Sequence, residues 1–307
     1  MKNVECVLMP NCILAEGCVW NRNEDALYFV DIEGCVVYSC RPDEGRAETI
    51  STNQRVGCLV FHKMGGIVTA ETSRLIHRDG TDKRVLLDQH LPSYLRYNDG
   101  KCDRYGNLWV GTMAVSQNHP MAKKGGSLYC IRDGQVVAGY GGYTIPNGMA
   151  WSRDGNVFYH IDTALQRVDA YDVEEGTRLV SRRTVLTVPE EEGSPDGMCM
   201  DSEGNLWIAM WGGGKVNGYR LPDGGKSDGG QLIGRKSSGG TCPAEKIEEI
   251  KVPDRYVSCC CFGGGDGREL YITTARDEEG NGGQIYRTRM QVCGAGVYEY
   301  GGEGYGA

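Results

Sequence analysis

Short apolar strands recur six times along the 307-residue chain, and no helical period is sustained between them. Their first residues are separated by 40, 41, 49, 49 and 64 positions. A period of about 40 to 50 residues, in which each unit supplies several short strands, is typical of a β-propeller. The sequence therefore predicts an all-β fold, a six-bladed β-propeller. The six strands open at Leu27-Tyr28, Ile67-Val68, Leu108-Trp109, Val157-Phe158, Leu206-Trp207 and Leu270-Tyr271.

Three segments depart from the regular repeat. The longest step contains a Gly- and Ser-rich stretch, residues 222–245, which predicts a mobile and dispensable surface loop. Residues 301–307 are expected to form a flexible tail. The N-terminal sequence VECVLM is expected to supply a strand to the last blade and so to close the ring. We therefore expect residues 1–307 to form a single domain, as a monomer or a small homo-oligomer.

The composition narrows the classes of partner and compartment. Hydrophobic residues make up 40% of the chain and charged residues 24%, and a net charge of -8 without any basic cluster argues against nucleic acid. No stretch reaches the length of a membrane span or a signal peptide. The 14 cysteines include no C-x-x-C pair, and Cys102, Cys199 and Cys259 to Cys261 occupy apolar strand positions. We therefore expect reduced thiols and a cytoplasmic protein.

Polar residues stand at matching points of four repeats. Asn98, Asn147 and Asp196 each lie ten residues before the strand opening of their unit, and Glu16 lies eleven before its own. A glycine follows each of them directly or after one residue. Because the first strand of each blade lines the central channel, we expect these side chains to meet at one mouth of it. In the other two units the same offset holds Gly57 and Cys260, the latter preceded by Ser258.

Two interpretations of these residues are open. Asp-Gly and Asn-Gly are common hairpin dipeptides, and this reading suits Asp133-Gly134 and Asp154-Gly155, which lie between strands. Oxygen atoms that converge on an axis instead favour one divalent cation, with Glu16, Asn147 and Asp196 as ligands. Such donors suit Ca²⁺, Mg²⁺ or Mn²⁺, with Zn²⁺ as a further candidate.

Five motifs, in order, resemble the regucalcin/gluconolactonase family, also called senescence marker proteins: AEGCVW, RYNDGKCDRYGNLWVGTM, IPNGMAWSRDG, SPDGMCMDSEGNLWIAMWGGGKV and VSCCCFGGGDGRELYITTA. The resemblance implies a six-bladed propeller that binds one divalent metal and hydrolyses sugar lactones. It also implies that Glu16, Asn147 and Asp196 are the metal ligands and that Asp196 is the general base. Arg96 and Asn98 would then hold substrate hydroxyls. A surface ion pair is the alternative role of Arg96.

The expected activity is metal-dependent hydrolysis of an aldonolactone, a cyclic ester. A cation stabilises the tetrahedral oxyanion, and either Asp196 or a metal-bound hydroxide provides the base or nucleophile. The alternatives are a non-catalytic calcium-binding propeller and a hydrolase of another ester, such as an organophosphate. Animal members of the family carry an acidic residue in the loop after GTM, where this chain has Lys123 and Lys124, so the sugar preference stays open. His119, in the same loop, is interpreted as an ordinary loop residue.

Overall fold

Six four-stranded antiparallel sheets make up the part of the chain that this computed structural model describes, residues 2–222 and 244–301. In chain order the strands are β1 (Glu5–Leu8); β2 (Ala15–Asn21), β3 (Ala26–Asp31), β4 (Val36–Arg41) and β5 (Arg46–Ser51) of the first blade; β6 (Val56–Phe61), β7 (Ile67–Glu71), β8 (Arg74–Asp79) and β9 (Asp82–Asp88) of the second; β10 (Leu95–Cys102), β11 (Leu108–Ala114), β12 (Gly126–Arg132) and β13 (Gln135–Tyr143) of the third; β14 (Pro146–Trp151), β15 (Val157–Asp162), β16 (Arg167–Glu174) and β17 (Arg178–Thr187) of the fourth; β18 (Ser194–Met200), β19 (Leu206–Trp211), β20 (Lys215–Arg220) and β21 (Glu245–Lys251) of the fifth; β22 (Tyr256–Gly263), β23 (Glu269–Ala275) and β24 (Ile285–Arg289) of the sixth. The predicted all-β, six-bladed propeller is confirmed.

In each blade the first two strands are largely buried, and the outermost strand is the most exposed. Strands β6 and β14 are buried along their whole length, whereas every residue of the outer strand β5 is exposed. The apolar core lies between neighbouring sheets: the Trp109 ring lies 5.2 Å from that of Phe158 in the next blade. Trp20 of the first blade stacks on Tyr271 of the sixth at 5.0 Å. Burial of these aromatic faces is the main stabilising contribution between blades.

The ring closes by pairing the two ends of the described chain. Strand β1 pairs antiparallel with β24 and forms the outer edge of the sixth sheet, as the sequence predicted. This leaves the sixth blade with three strands from the C-terminal part and one from the N-terminus. Backbone groups on the edge of β24 thereby gain partners that a linear order of blades would leave unpaired.

The third and fifth blades each contain an aspartate that accepts hydrogen bonds from the hairpin between the first and second strands; we call this arrangement a carboxylate clasp. Asp201 accepts hydrogen bonds from the backbone N–H of Asn205, from the Asn205 amide at 2.9 Å and from Trp207 Nε1 at 2.9 Å. Asp103 binds Asn107 and Trp109 in the same way. The D-x-x-G-N-L-W sequence thus fixes a hairpin and a buried tryptophan together.

The remaining expectations concern cysteines and the irregular segments. The 13 cysteines within the described residues are all free, and Cys102, Cys199 and Cys259 to Cys261 are buried, so they pack as small apolar side chains. The expected mobile loop, apart from residues 222, 244 and 245, lies outside the described residues, as does most of the expected C-terminal tail. Helical segments in the described part are three-residue 3₁₀ turns, too short to cross a membrane.

Replacing Asp201 by Ala should lower the free energy of unfolding by about 2–4 kcal/mol, because the buried Trp207 Nε1 and Asn205 amide lose their acceptor. Urea unfolding at neutral pH measures this as a lower midpoint with an unchanged slope. Glu203→Ala, an exposed acidic residue of the same turn, is the matched control and should change stability by less than about 0.5 kcal/mol. Equal stability of both variants would show that the clasp contributes nothing.

Candidate functional site

Each inner strand carries a β-bulge against the second strand of its blade. The register against the second strand shifts once in every blade, and the shift leaves one or two residues unpaired. A bulge bends the strand and re-aims its side chains. The shifts lie between Glu16 and Val19, Val56 and Cys58, Tyr97 and Gly100, Pro146 and Met149, Pro195 and Met198, and Val257 and Cys259.

These bulges correct the expected location of the polar residues. The six strand openings recognised in the sequence are the second strands of the blades, β3, β7, β11, β15, β19 and β23. Asn98, Asn147 and Asp196 therefore lie inside the inner strands rather than ahead of them. In the sixth blade the bulge holds Ser258, whereas the ten-residue offset indicated Cys260.

Glycines beside the bulges permit close contact between inner strands. A Cβ on Gly148 would lie 2.5 Å from the Asp196 carbonyl oxygen, and one on Gly197 would lie 2.8 Å from Cys259 Cα. Neither glycine has a positive φ, and both are within strands. The hairpin-turn interpretation is therefore wrong for these two dipeptides, whose glycines serve interstrand packing.

The bulged polar side chains are buried together. Glu16, Asn98, Asp99, Asn147 and Asp196 are each between 5% and 7% exposed. They come from the first, third, fourth and fifth blades, and we call them the axial cluster. A side chain so buried must find a partner or pay for lost hydration.

Hydrogen bonds orient the amides of this cluster. Arg96 Nη1 donates to Asn98 Oδ1 at 2.7 Å, which directs the Asn98 amide nitrogen toward the Pro146 carbonyl at 3.0 Å and Asn147 Oδ1 at 3.5 Å. The Asn147 amide nitrogen in turn donates to Thr163 Oγ1 at 3.1 Å. The Asn147 amide oxygen accepts from Asn98, and its amide nitrogen also donates toward Asp196, which lowers the pKa of that carboxyl in part.

Arg96 is itself part of the channel wall. Its side chain is only 5% exposed, and its second hydrogen bond goes to the Tyr97 carbonyl at 2.8 Å. The surface ion-pair role weighed from the sequence does not fit this burial. Its Nε atom has no hydrogen-bond partner within the described residues. Desolvation lowers the pKa of Arg96 to about 10, partly offset by Glu33 and Glu16.

The carboxylates of the cluster disfavour one another's ionisation. Burial first, and then the charge of Asp99, raise the pKa of Glu16 to about 8. Burial and the charges of Glu16 and Asp99 raise the pKa of Asp196 well above its ordinary value. Asp196 Oδ1 is buried and has no hydrogen-bond partner in the described part of the chain. The carboxyl groups of the axial cluster would therefore be stabilised by an added positive charge.

Sequence reasoning assigned no role to three residues of this region. Asp99 lies in the same bulge as Asn98. Burial raises its pKa, and the charge of Lys101 opposes part of this rise. The Lys101 side chain is half-buried, and its ammonium donates to the Met198 carbonyl at 2.8 Å. Thr163 reaches Asn147 from a 3₁₀ turn of the fourth blade. Adjacency to Asn98 was a signal for Asp99; nothing in the spacing indicated Thr163.

The donor types decide what could bind here. Within residues 2–222 and 244–301, no three His, Cys, Asp or Glu side chains converge as a ready set of metal ligands. A cation at the cluster would have to combine carboxylates with an amide oxygen, as hard divalent cations accept. His119, the one histidine considered near the channel, stacks on Tyr94 at 4.6 Å and accepts from the Met121 N–H, so its role is structural.

Fold and cluster together define a class: six-bladed propellers with buried polar residues on the axis. Residues 14–233 and 240–276 match the family model described as SMP-30/gluconolactonase/LRE-like region, and the chain belongs to this family. Regucalcin of Danio rerio is 34% identical over 89% of this chain and 86% of its own length. Regucalcin of Oryctolagus cuniculus is 33% identical over 97% of this chain and 98% of its own.

Solved structures support the same architecture. A luciferin-regenerating enzyme superposes with a TM-score of 0.83 at 27% identity, covering 98% of this chain and 100% of its own. A calcium-binding protein, regucalcin, from Agrobacterium tumefaciens gives 0.79 at 23% identity, covering 94% of both chains. A gluconolactonase from Xanthomonas campestris gives 0.69 at 20%, covering 94% of this chain and 89% of its own. The last two identities bear on the fold alone.

Replacing Glu16 by Gln should protect the protein at high pH when a chelator keeps cations away. The pKa of Glu16 in the folded state, about 8, exceeds its unfolded value of about 4.5. The folded wild type therefore binds the extra proton and loses stability as the pH rises from the lower value through the higher. Urea midpoints from about pH 5 to about pH 9 should fall less for Glu16→Gln than for wild type.

The exposed Glu203→Gln is the control for this experiment and should follow the wild-type curve. If Glu16→Gln also runs parallel to wild type across the range, Glu16 bears its charge in the folded state without penalty.

Proposed function

We propose that this protein is a metal-dependent hydrolase of sugar lactones, converting an aldonolactone to the aldonic acid. The observation that carries the proposal is the convergence of buried oxygen donors from three blades, Glu16, Asn147 and Asp196, with Asp196 Oδ1 left without a hydrogen-bond partner among the described residues. Buried carboxylates that raise one another's pKa gain most from a shared cation.

The residues present fit one divalent cation. Glu16 and Asp196 would supply carboxylate oxygens, and Asn147 would supply its amide oxygen, since its amide nitrogen donates to Thr163. Ca²⁺, Mg²⁺, Mn²⁺ and Zn²⁺ remain the candidates. Such a cation would polarise the lactone carbonyl, stabilise the developing oxyanion and acidify a water molecule.

The protein side chains would then divide the remaining work. Asp196 is the proposed proton acceptor, because the carboxylate oxygen that does not hold the cation can take a proton from water. A bound cation would oppose the effect of burial on the pKa of Asp196 and keep the carboxylate ionised. Arg96 and Asn98, joined by a 2.7 Å hydrogen bond, would bind substrate hydroxyls or the carbonyl oxygen. Two adjacent polar groups of this kind suit a polyhydroxylated substrate better than an apolar one.

The relatives support this assignment to different degrees. The family description names gluconolactonase, and a structural neighbour is a gluconolactonase. Another neighbour is titled a calcium-binding protein. A non-catalytic calcium-binding propeller is therefore the second candidate, favoured by that neighbour's title. The deciding experiment strips the protein with chelator, restores one metal at a time, and follows acid release from a panel of aldonolactones. Tight metal binding without hydrolysis of any lactone supports the second candidate.

Asp196→Asn should keep measurable metal affinity, because one oxygen donor remains, while kcat falls at least about a hundredfold through loss of the proton acceptor. Asp196→Ala, which removes both oxygens, should weaken metal binding as well. Isothermal titration with the metal and initial rates on the best lactone separate the two effects. A near wild-type rate for Asp196→Asn would assign the carboxylate a ligand role alone.

Arg96→Ala should leave metal affinity nearly unchanged, because a guanidinium has no acceptor atom. Its effect should fall on lactone hydrolysis, through a higher KM or a lower kcat. Arg178→Ala, an exposed arginine on β17, is the matched control and should match wild type in both assays. Unaltered kinetics of Arg96→Ala would contradict substrate binding at Arg96 and Asn98.

A further inference from the structure

A cavity of about 270 Å³ lies between the third and fourth blades. Its wall includes Thr144, Asp162 and Ala164. Thr163, between the last two, accepts the hydrogen bond from Asn147. Thr144 lies three residues before Asn147, so the Cα atoms of the two residues are at most about 10 Å apart even if the chain between them is extended. The wall of the cavity and the axial cluster are therefore connected through Thr163.

Two lysines give the cavity its charge. Lys123 and Lys124 line it, both are exposed, and neither ammonium group has a hydrogen-bond or ion-pair partner in the described part of the chain. Other lysines of this acidic protein do form ion pairs, as Lys215 and Lys246 do with Glu192. Two unpaired ammonium groups on one concave wall attract an anion.

The loop that carries the lysines is held in place. The Lys124 backbone N–H donates to Thr144 Oγ1 at 3.1 Å, and Lys124 has a φ of 59°, in the left-handed region. A Cβ on Gly125 would lie 1.9 Å from the Met121 carbonyl oxygen, so the turn is tightly packed. The lysines therefore project from a defined wall rather than from a free loop.

The acidic residue of the wall is occupied by the backbone. Asp162 accepts the N–H groups of Thr144 and Ile145 at 3.0 and 2.9 Å. Its carboxylate charge is thus stabilised by local donors, and it forms no ion pair with either lysine. The cavity retains an excess of one positive charge, from two lysines and one aspartate.

We infer that this cavity binds an anionic substituent of the substrate, a carboxylate or phosphate carried at the end remote from the lactone carbonyl. The inference rests on the proposed function and narrows its substrate class to acidic sugar lactones. The axial cluster would hold the reacting ester, and Lys123 and Lys124 would hold the second anionic group. Charge-assisted hydrogen bonds of this kind add both affinity and selectivity.

Binding of open-chain acids tests the inference independently of catalysis. The probes are an aldonate, the aldarate of the same chain length and the aldonate with a terminal phosphate, titrated by calorimetry into calcium-loaded protein. The aldarate, the phosphorylated aldonate or both should bind at least about tenfold more tightly than the aldonate. Whichever dianion gains affinity identifies the group as carboxylate or phosphate.

The lysines are tested by a charge-removing and a charge-keeping variant. The double variant Lys123→Gln with Lys124→Asn should abolish the preference, asparagine being chosen because it tolerates the left-handed backbone of Lys124. Lys123→Arg with Lys124→Arg should keep it, and Lys83→Gln on β9 should behave as wild type. Equal affinity for all three acids, or a preference that survives charge removal, would overturn the inference.

Kinetics on the matching lactones separates this inference from the proposed function. Removal of the two charges should lower the ratio of kcat/KM for the acidic over the neutral lactone by about tenfold or more. Hydrolysis without such a change contradicts the anion site and leaves the lactonase proposal standing. Lysine-dependent binding of the dianion with no hydrolysis of any lactone contradicts the lactonase proposal and supports the anion site.

Discussion

The close contact between neighbouring inner strands is the constraint on which the site depends. Gly57 lies so near the third blade that a Cβ would come within 2.5 Å of the Tyr97 carbonyl oxygen, and Gly148 is similarly close to the Asp196 carbonyl. Strands at this separation leave no space for a side chain at Gly57, Gly148 or Gly197. A bulge re-aims the side chains at and beside it; Asn147 and Asp196 lie in bulges, and Glu16 lies directly before one. Convergence of Glu16, Asn147 and Asp196 follows from that geometry.

This crowding also explains why the pKa values of the axial carboxyl groups are raised. Loss of hydration on burial is the largest cause of the raised pKa values of Glu16 and Asp196, ahead of the charges of neighbouring groups. The hydrophobic interfaces between blades supply the stability that makes such burial tolerable, since a buried carboxylate opposes folding. The Arg96–Asn98–Asn147 hydrogen bonds order these side chains, and the charge of Arg96 offsets only part of the effect of burial on the two carboxyls. Function is therefore proposed where buried carboxyl groups oppose folding.

Repeat spacing predicted the fold because most blades use a similar number of residues to form the same four strands. The spacing also identified Glu16, Asn98, Asn147 and Asp196. Where the hairpins between first and second strands have similar lengths, residues at the same distance before the second strand occupy equivalent positions on the first strand. It failed in the sixth blade because the β22–β23 hairpin is longer: Phe262 pairs with Leu270, whereas Cys102 pairs with Leu108. The orientation of Asn147 by Thr163 and the cavity beside Lys123 arise between blades. Contacts of that kind have no fixed spacing in a sequence.

The pairing of β1 with β24 has a consequence for how the chain folds. Glu5 lies opposite Arg287, so the last sheet is complete only after nearly the whole chain is available. Contacts of such sequence separation carry a high loop-closure entropy and slow the folding of β proteins. During synthesis the first strand must wait, unpaired, while five blades emerge from the ribosome. Circle closure is then a late and cooperative event that ties the two ends of the polypeptide into one folding unit.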